Sequence, residues 1–459
     1  MRALSQCEGK PVRGEEMVIT FVMDQYGDTN NGTTVTAMRF ADVLKKKGHE
    51  VRILTASKTE GEGIFVLPEW KVPIFHKVIA KEGMKFAWPD EEIIRKAIEG
   101  SDVVHMMMPF KAENATRKIA ESMHIATTAA FHVQPENLSY GAHLNWVPGF
   151  NGMIFRYMKK FYSHYNHIHA PSENTKRILL KHKFTGNIYA ISNGVDEAFR
   201  KLDLPRPEKY EGKFVILMVG RYASEKRQSV LIKAIGESKY NDKIQLVLAG
   251  RGPTEKKLRR LSAKYLKNPA EFTFLPKEAL IPLINACDLY VHASNVENEA
   301  ISCIEAFTCG LVPIISDSDA SATKQFALTE RNLFPANDVH ALAQKIDWFI
   351  EHPEEKEKQS RDYIEYAQKF AIEPCVDRLV EVFNAAVDEN ALRWQNAERE
   401  TEYLSTLGDK ETKRYAKSKK KYEIRLRKKR TPDFTNSFIT TVLGDKEEVP
   451  KPVLEPVTE

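Results

Sequence analysis

The feature that most limits how this chain can fold is a rhythm of short apolar runs, each followed by a segment of helical length. Met17 to Met23, Val51 to Leu54, Asp102 to His105, Ile125 to Phe131 and Asn187 to Ile191 form one series. Phe214 to Val219, Ile244 to Ala249, Leu289 to His292 and Val312 to Ile315 form a second. Near-continuous apolar runs suit strands buried on both faces of a parallel sheet. Their alternation with helical segments specifies βαβ units. After the first run, Ala37, Phe40, Ala41 and Leu44 share one helical face, and Gly48 closes that helix. Between the two series, residues 201–212 hold Pro205, Pro207 and Gly212 among charged neighbours, the composition of a linker. A chain of 459 residues also exceeds what one core normally serves. The expectation is an α/β protein with a first unit at 17–200 and a second at 213–373, facing each other across a cleft. A long helix then spans 374–400, and 401–459 forms a basic, partly disordered tail.

Composition narrows the function classes. No run of about eighteen apolar residues is present, so no segment is expected to span a bilayer. The opening Met-Arg-Ala-Leu-Ser-Gln-Cys-Glu lacks the apolar centre of a secretory signal. Five cysteines without paired metal spacing read as reduced thiols, and with them a cytoplasmic location. His164, His167 and His169 have no carboxylate or cysteine at ligand spacing and are read as non-metal. The net charge of +5 is unevenly placed, with Thr412 to Arg430 strongly basic. Near anionic lipid each basic residue contributes ~1 kcal/mol, so peripheral contact with the inner face of the plasma membrane is one reading. Nucleic acid is disfavoured, because only Tyr415 and Tyr422 interleave as stacking platforms. Lys71 to Pro89 and the helical segment Asn151 to Tyr162 also mix apolar and basic residues as an interfacial segment does.

The residues with chemical potential lie where strands give way to helices. Glu297 falls in the loop after Leu289–His292, and Glu305 lies eight residues on, inside a helix closed by Gly310. At 1.5 Å per residue the two carboxylates stand roughly 10 Å apart, a span suited to two ends of one ligand. The helix start between them, at Asn298, Glu299, Ala300 and Ile301, offers N–H groups to a phosphate. One half-unit earlier, Gly220-Arg221 and Glu225-Lys226 follow a strand. Arg221 supplies a planar fork and Lys226 a point cation, a pair matched to a diphosphate. His132 follows the strand ending at Phe131, on the edge where open α/β sheets bind ligands. Gly32 sits in the first βα turn, which lacks the Gly-x-Gly-x-x-Gly fingerprint of dinucleotide sites.

Together, Glu297-x7-Glu305 and Gly220-Arg221…Glu225-Lys226 resemble the retaining nucleotide-sugar glycosyltransferases of family 4. The resemblance runs from about Met17 to Ala397, and Ser192-Asn193-Gly194-Val195-Asp196 resembles that family's turn at the end of its first domain. It implies the GT-B arrangement, two Rossmann-like domains facing a cleft with a C-terminal helix crossing back to the first. It also implies roles: Glu297 holds the sugar near its anomeric carbon and Glu305 the ribose. Arg221 and Lys226 neutralise the leaving diphosphate, His132 helps place sugar and acceptor, and the backbone at Gly32 approaches the donor phosphate. The family's commoner Gly-Phe-Gly is replaced here by Asn298-Glu299-Ala300, which adds a carboxylate near the phosphate. That variant, with Phe-His-Val-Gln-Pro-Glu-Asn, is similar to the diacylglycerol glucosyltransferase branch. The expected reaction is hexose transfer, glucose from UDP-glucose first, onto a lipid hydroxyl such as diacylglycerol. A cell-wall or capsule glycan acceptor is the alternative, as is a non-catalytic nucleotide-sugar-binding scaffold. No cofactor is expected, and without an Asp-x-Asp motif metal is expected to be dispensable.

Overall fold

The computed structural model describes residues 16–27, 32–57, 59, 61–70, 85–141, 146–429 and 432–443. Two parallel sheets carry the chain. The first holds β1 (Val18–Val22), β2 (Glu50–Thr55), β3 (Ile64–Val66), β4 (Val103–Met106), β5 (Ala126–Ala130), β6 (His167–Ala170) and β7 (Asn187–Ala190), in the order β3-β2-β1-β4-β5-β6-β7. The second holds β8 (Phe214–Val219), β9 (Ile244–Ala249), β10 (Glu271–Thr273), β11 (Leu289–His292), β12 (Pro313–Asp317) and β13 (Leu333–Pro335), in the order β10-β9-β8-β11-β12-β13. In each sheet the strand order reverses once, between β1 and β4 and between β8 and β11. Crevices outside the carboxyl ends at such reversals are where open sheets bind ligands. The sequence motifs after β8 and β11 therefore flank one of these crevices.

The cores explain why the helices lie where they do. Val215, Leu217, Leu248, Tyr290, Ile304 and Phe307 belong to one buried cluster around the second sheet. On one face of the first sheet, Phe21, Phe40 and Leu44 pack with Ile372, Val376, Leu379 and Phe383 from the helix Ile372–Ser405. That helix begins beside the second unit and completes a core of the first. Each of these four buried side chains contributes about 1.5–3 kcal/mol to holding the units together. Ser172 and Asp338 cap their helices, accepting from the amides of Thr175 and Ala341 as expected of N-cap residues.

Three expectations need correction. The segment Ser224 to Ile235 reads from sequence as one helix, but it is broken: a 3-10 turn covers Ser224–Lys226, Arg227 adopts φ +55°, and the α-helix is Gln228–Glu237. The last long helix exceeds its predicted span of 374–400, running as one rod of 34 residues from Ile372 to Ser405. The basic segment forms the helix Asp409–Lys429, in keeping with its reading as a solvated helix, but part of the expected disordered tail forms the helix Phe438–Leu443. The reason is a small satellite core in which Tyr415, Phe438 and Ile439 are buried against Tyr403, Leu404 and Tyr422. Glu400 draws Lys419 to 2.6 Å and the Tyr415 hydroxyl to 3.0 Å at its edge. Six apolar residues dispersed among so many charges are too sparse to show as periodicity. Residues 71–84 of the interfacial segment lie outside the described residues.

Candidate active site

Glu297 is the meeting point of the second sheet's crevice. Its loop leaves β11 at His292 and enters the helix Ile301–Thr308 through Ala300, a non-glycine residue held at φ +71°. A left-handed alanine costs roughly 1–2 kcal/mol, so the surrounding contacts must hold this entry. Lys226 Nζ lies 2.5 Å from Glu297 Oε1, and His292 Nε2 reaches the same oxygen at 3.0 Å. Burial alone would raise this carboxyl, but the Lys226 ammonium and His292 outweigh it and hold Glu297 down at about 2. It is an ionised carboxylate throughout the physiological range.

The β8 loop is fitted to this partner. The backbone N–H of Asn295 donates to the Glu225 carbonyl at 2.8 Å, tying the two loops together beside the Lys226–Glu297 pair. Arg221 Nη2 meets Glu225 Oε1 at 3.2 Å, and its own carbonyl accepts from Gln228 Nε2 at 2.9 Å. Gly250 and Gly252 support the loop from below. A Cβ on Gly250 would sit 2.0 Å from the Gly220 carbonyl oxygen, and one on Gly252 2.5 Å from that of Tyr222. The Gly250-Arg251-Gly252 turn thus acts by close packing under the Arg221 loop.

Glu305 is also buried, and its partner comes from the other unit. Arg39 Nη2, on the helix Gly32–Lys46, stands 2.6 Å from Glu305 Oε1. Burial raises Glu305, and Arg39 offsets only part of that. Gly32 opens the same helix, with nothing within 4 Å of where a Cβ would lie, so its backbone is approachable.

From the first sheet, His132 follows β5 and is buried, its ring 5.4 Å from His169 in an edge-to-face contact. Burial, then His169 and His105, push it well below the usual imidazole range, so it is neutral. The loop bearing Glu297 reaches over to it. Asn298 Nδ2 donates to the His132 carbonyl, Gln134 Nε2 to the Glu297 carbonyl at 3.4 Å, and Ser172 Oγ to the Asn298 carbonyl at 2.8 Å. Glu299 points away from the crevice towards the inter-unit crossing, accepting from the Asn193 amide at 3.0 Å. Ile301 is the first residue of the helix whose early amides lack intrahelical partners.

The structure thus joins Lys226 to Glu297, places the Arg221 loop beside them, and brings His132 against the Glu297 loop from across the cleft. Arg39 and His292 are partners that sequence reasoning did not select, whereas Gln134, a candidate for acceptor contact by its place after the same strand as His132, instead reaches the Glu297 carbonyl. His292 had a signal, as a polar residue ending a buried strand at the ligand-binding edge. Arg39 had none, since it lies 266 positions from Glu305 on a helix that shows only amphipathic spacing. Also unforeseen is a buried carboxyl pair at the first sheet's reversal, Asp24 after β1 and Glu113 after β4. Burial raises both carboxyls, and the neighbouring Asp24 charge raises Glu113 further, so the pair resists carrying two charges. Among the described residues no three His, Cys, Asp or Glu side chains converge to hold a metal ion.

Residues 30–199 match the family described as Glycosyltransferase Family 4, and residues 199–370 match Glycosyl transferases group 1. The chain is a family 4 glycosyltransferase of GT-B fold. The alpha-monoglucosyldiacylglycerol synthase of Streptococcus pneumoniae is 23% identical over 327 residues, covering 65% of this glycosyltransferase and 71% of that protein. The structure of Anabaena HepE in complex with UDP-glucose superposes at TM-score 0.63 and 15% identity, covering 81% of this chain and 100% of that one. The catalytic domain of the cholesterol-alpha-glucosyltransferase of Helicobacter pylori is 48% identical over 34% of this chain, covering 99% of that chain at TM-score 0.32. As a member of this family the enzyme transfers a sugar from a nucleotide-sugar donor.

Proposed function

We propose that this glycosyltransferase moves glucose, with retention of anomeric configuration, from UDP-glucose to the hydroxyl of a lipid, diacylglycerol first. The observation that carries the reading is the Lys226–Glu297–His292 junction with the His132 loop bonded across it. In the proposed mechanism the donor diphosphate lies over the start of the Ile301–Thr308 helix, and Lys226 exchanges its carboxylate partner for phosphate. Arg221 joins it, so that cations meet negative charge as it grows on the leaving group. Glu297, permanently ionised, accepts hydrogen bonds from sugar hydroxyls near C1 and favours the positive character there. Glu305 holds the ribose. The acceptor oxygen attacks C1 from the face the diphosphate leaves. As the C1–O bond to phosphate breaks, the acceptor's proton passes to the departing phosphate oxygen. Neutral His132 offers a hydrogen bond to the sugar or the incoming hydroxyl. No metal is required in this scheme, and chelation with EDTA should leave turnover intact.

Support for a lipid acceptor is twofold. The S. pneumoniae relative is named for glucosyldiacylglycerol synthesis. On the helix Phe150–Tyr162, Met153, Arg156, Tyr157 and Lys160 are exposed at i, i+3, i+4 and i+7, an apolar–basic stripe with exposed Trp146 nearby in sequence. Such a stripe can rest on anionic headgroups. No helix among the described residues is long and apolar enough to cross a membrane, so a peripheral contact at the cytoplasmic face is the arrangement proposed. The test offers purified protein UDP-glucose, UDP-galactose and GDP-mannose with vesicles containing diacylglycerol or a sterol, and resolves the products and their anomers. α-Glucosyl lipid from UDP-glucose supports the reading. Transfer only to soluble glycan, or to the opposite anomer, rejects it.

A further inference from the structure

We infer that Asn298 and Glu299 form a latch that locks the Glu297 loop onto the hinge between the two units, with both residues positioning His132 against Glu297. This rests on the reading that His132 and Glu297 face the donor sugar. Chain crosses between the units twice, at Ser192–Val195 and at Phe370–Ile372, and the two crossings are bonded to each other. Val195 N donates to the Phe370 carbonyl at 2.7 Å, and Ile372 N to the Val195 carbonyl at 3.2 Å. There is no slack between them: Gly194 has φ +71°, and a Cβ there would stand 2.7 Å from Ile372 Cα. Glu299 is bonded into this hinge through the Asn193 amide, with only 2% of its surface exposed.

The neighbouring residue grips the other side. Asn298 donates to the His132 carbonyl, while its own carbonyl accepts the hydroxyls of Ser172 at 2.8 Å and Thr175 at 3.1 Å. Residues 297–299 of the second unit are therefore held by the first through the loops after β5, β6 and β7. None of these bonds uses the Glu297 carboxylate. Opening the cleft breaks them together, and closing it sets the His132 loop and the Glu297 loop in one register. A glycine–aromatic pair at these positions could not make the two side-chain bonds.

The latch carries a pH dependence. Burial raises the Glu299 carboxyl to about 7. The groups around this loop are quiet near neutrality. On the Ile372–Ser405 helix, the Cys375 thiol is pushed up to about 12, and Arg378 is committed to the Ala190 carbonyl at 2.9 Å. From the first sheet, burial holds His169 down at about 4, and His132 lies well below the usual range. With the cleft open, Glu299 meets water and returns towards 4.5. Closure is then fully favoured below about 4.5, weakens as pH rises, and levels off above about 7, by up to ~10-fold per pH unit in between.

The experiment measures donor KM and kcat from pH 5 to 8 for wild type, E299Q, E299A and N298A, with amide hydrogen exchange at Asn193 in the full chain. Wild-type donor KM should climb with pH and level off near 7, whereas E299Q, which keeps the acceptor but cannot ionise, should be flat. N298A should lower kcat ~10-fold with a smaller change in KM, the mark of a displaced His132. E299A should speed exchange at Asn193 at least ~10-fold, as expected when a buried hydrogen bond is lost. An E299Q profile that superimposes on wild type, or unchanged exchange in E299A, overturns the latch. Should E299A fail to fold, the near-isosteric E299Q decides by its KM profile. If the wild type transfers no sugar, the proposed function fails, and the latch is still decided by exchange at Asn193 above pH 5: slower exchange in E299Q than in wild type supports it, and equal exchange overturns it.

Discussion

The two halves of the cleft handle charge in opposite ways. On the second sheet's side, carboxylates and cations are paired: Lys226 and His292 on Glu297, Arg221 on Glu225. On the first sheet's side, titratable groups are kept uncharged. His105, His132 and His169 are buried close enough that each lowers or is lowered by another, and burial raises the Asp24 and Glu113 carboxyls at the strand-order reversal. The lesson is a division of labour. A charged diphosphate needs preorganised cations, which wait on countercharges it can displace. An uncharged sugar or hydroxyl needs only hydrogen-bonding groups, and there ionisation would add desolvation cost without benefit. Arg39–Glu305 is the exception, a charge pair that spans the two halves.

The contrast breaks most visibly at Lys226. K226A is expected to lower kcat/KM by ~10²–10³-fold, measured with any donor that supports turnover, because the leaving group loses a cation aimed at it. A loss under threefold would show that the charged half does not carry the chemistry. Next in size is R39A. It strands Glu305, whose side chain is only 10% exposed, and should cost about 2–3 kcal/mol in denaturant unfolding. The double change R39A/E305Q should recover part of this, and strict additivity would show that the pair is not coupled.

On the neutral half the effects are smaller. H132F should cut kcat ~10-fold, and wild-type kcat should show no acid limb near pH 6.5, since His132 is held far below it. An inflection near 6.5 that vanishes in H132F would show that the imidazole does ionise. The least effect on turnover is expected from D24N, whose mark is on stability. Asp24 is raised from 3.8 to about 7, chiefly by burial, with the Ala87 amide and Glu113 opposing. The folded state therefore binds the extra proton, and this stability is complete below about 3.8, declines with rising pH, and is gone above about 7. D24N should flatten that slope, a change of up to ~2.5 kcal/mol between pH 5 and 8. An unchanged slope would place the proton elsewhere.

Much of this was legible in the chain. Strands buried on both faces must be apolar throughout, so Phe214–Val219, Ile244–Ala249 and Leu289–His292 announced themselves, and with them the loops at their carboxyl ends. Glu297 and Lys226 were readable because their spacing from those strands is local. What pairs with Glu305 was not, because any basic residue on an exposed-looking helix face could have been chosen. Glu299 was ambiguous for a related reason: one carboxylate near a helix start can face ligand, solvent or hinge, and local geometry permits all three. The helix Phe438–Leu443 and its satellite core were missed because a handful of tyrosines and Phe438 make a core only when two helices bring them together.

By itself, the sequence determined the α/β architecture, the helix caps at Ser172 and Asp338, and which loops carry acid and base, since these depend on contacts within a few residues. Only the tertiary structure decided that Arg39 meets Glu305, that His292 shares Glu297 with Lys226, and that Asp24 and Glu113 are buried at the same strand-order reversal. Those outcomes depend on which side chains are buried together across hundreds of residues, and burial, unlike periodicity, leaves no local trace when the residue is polar.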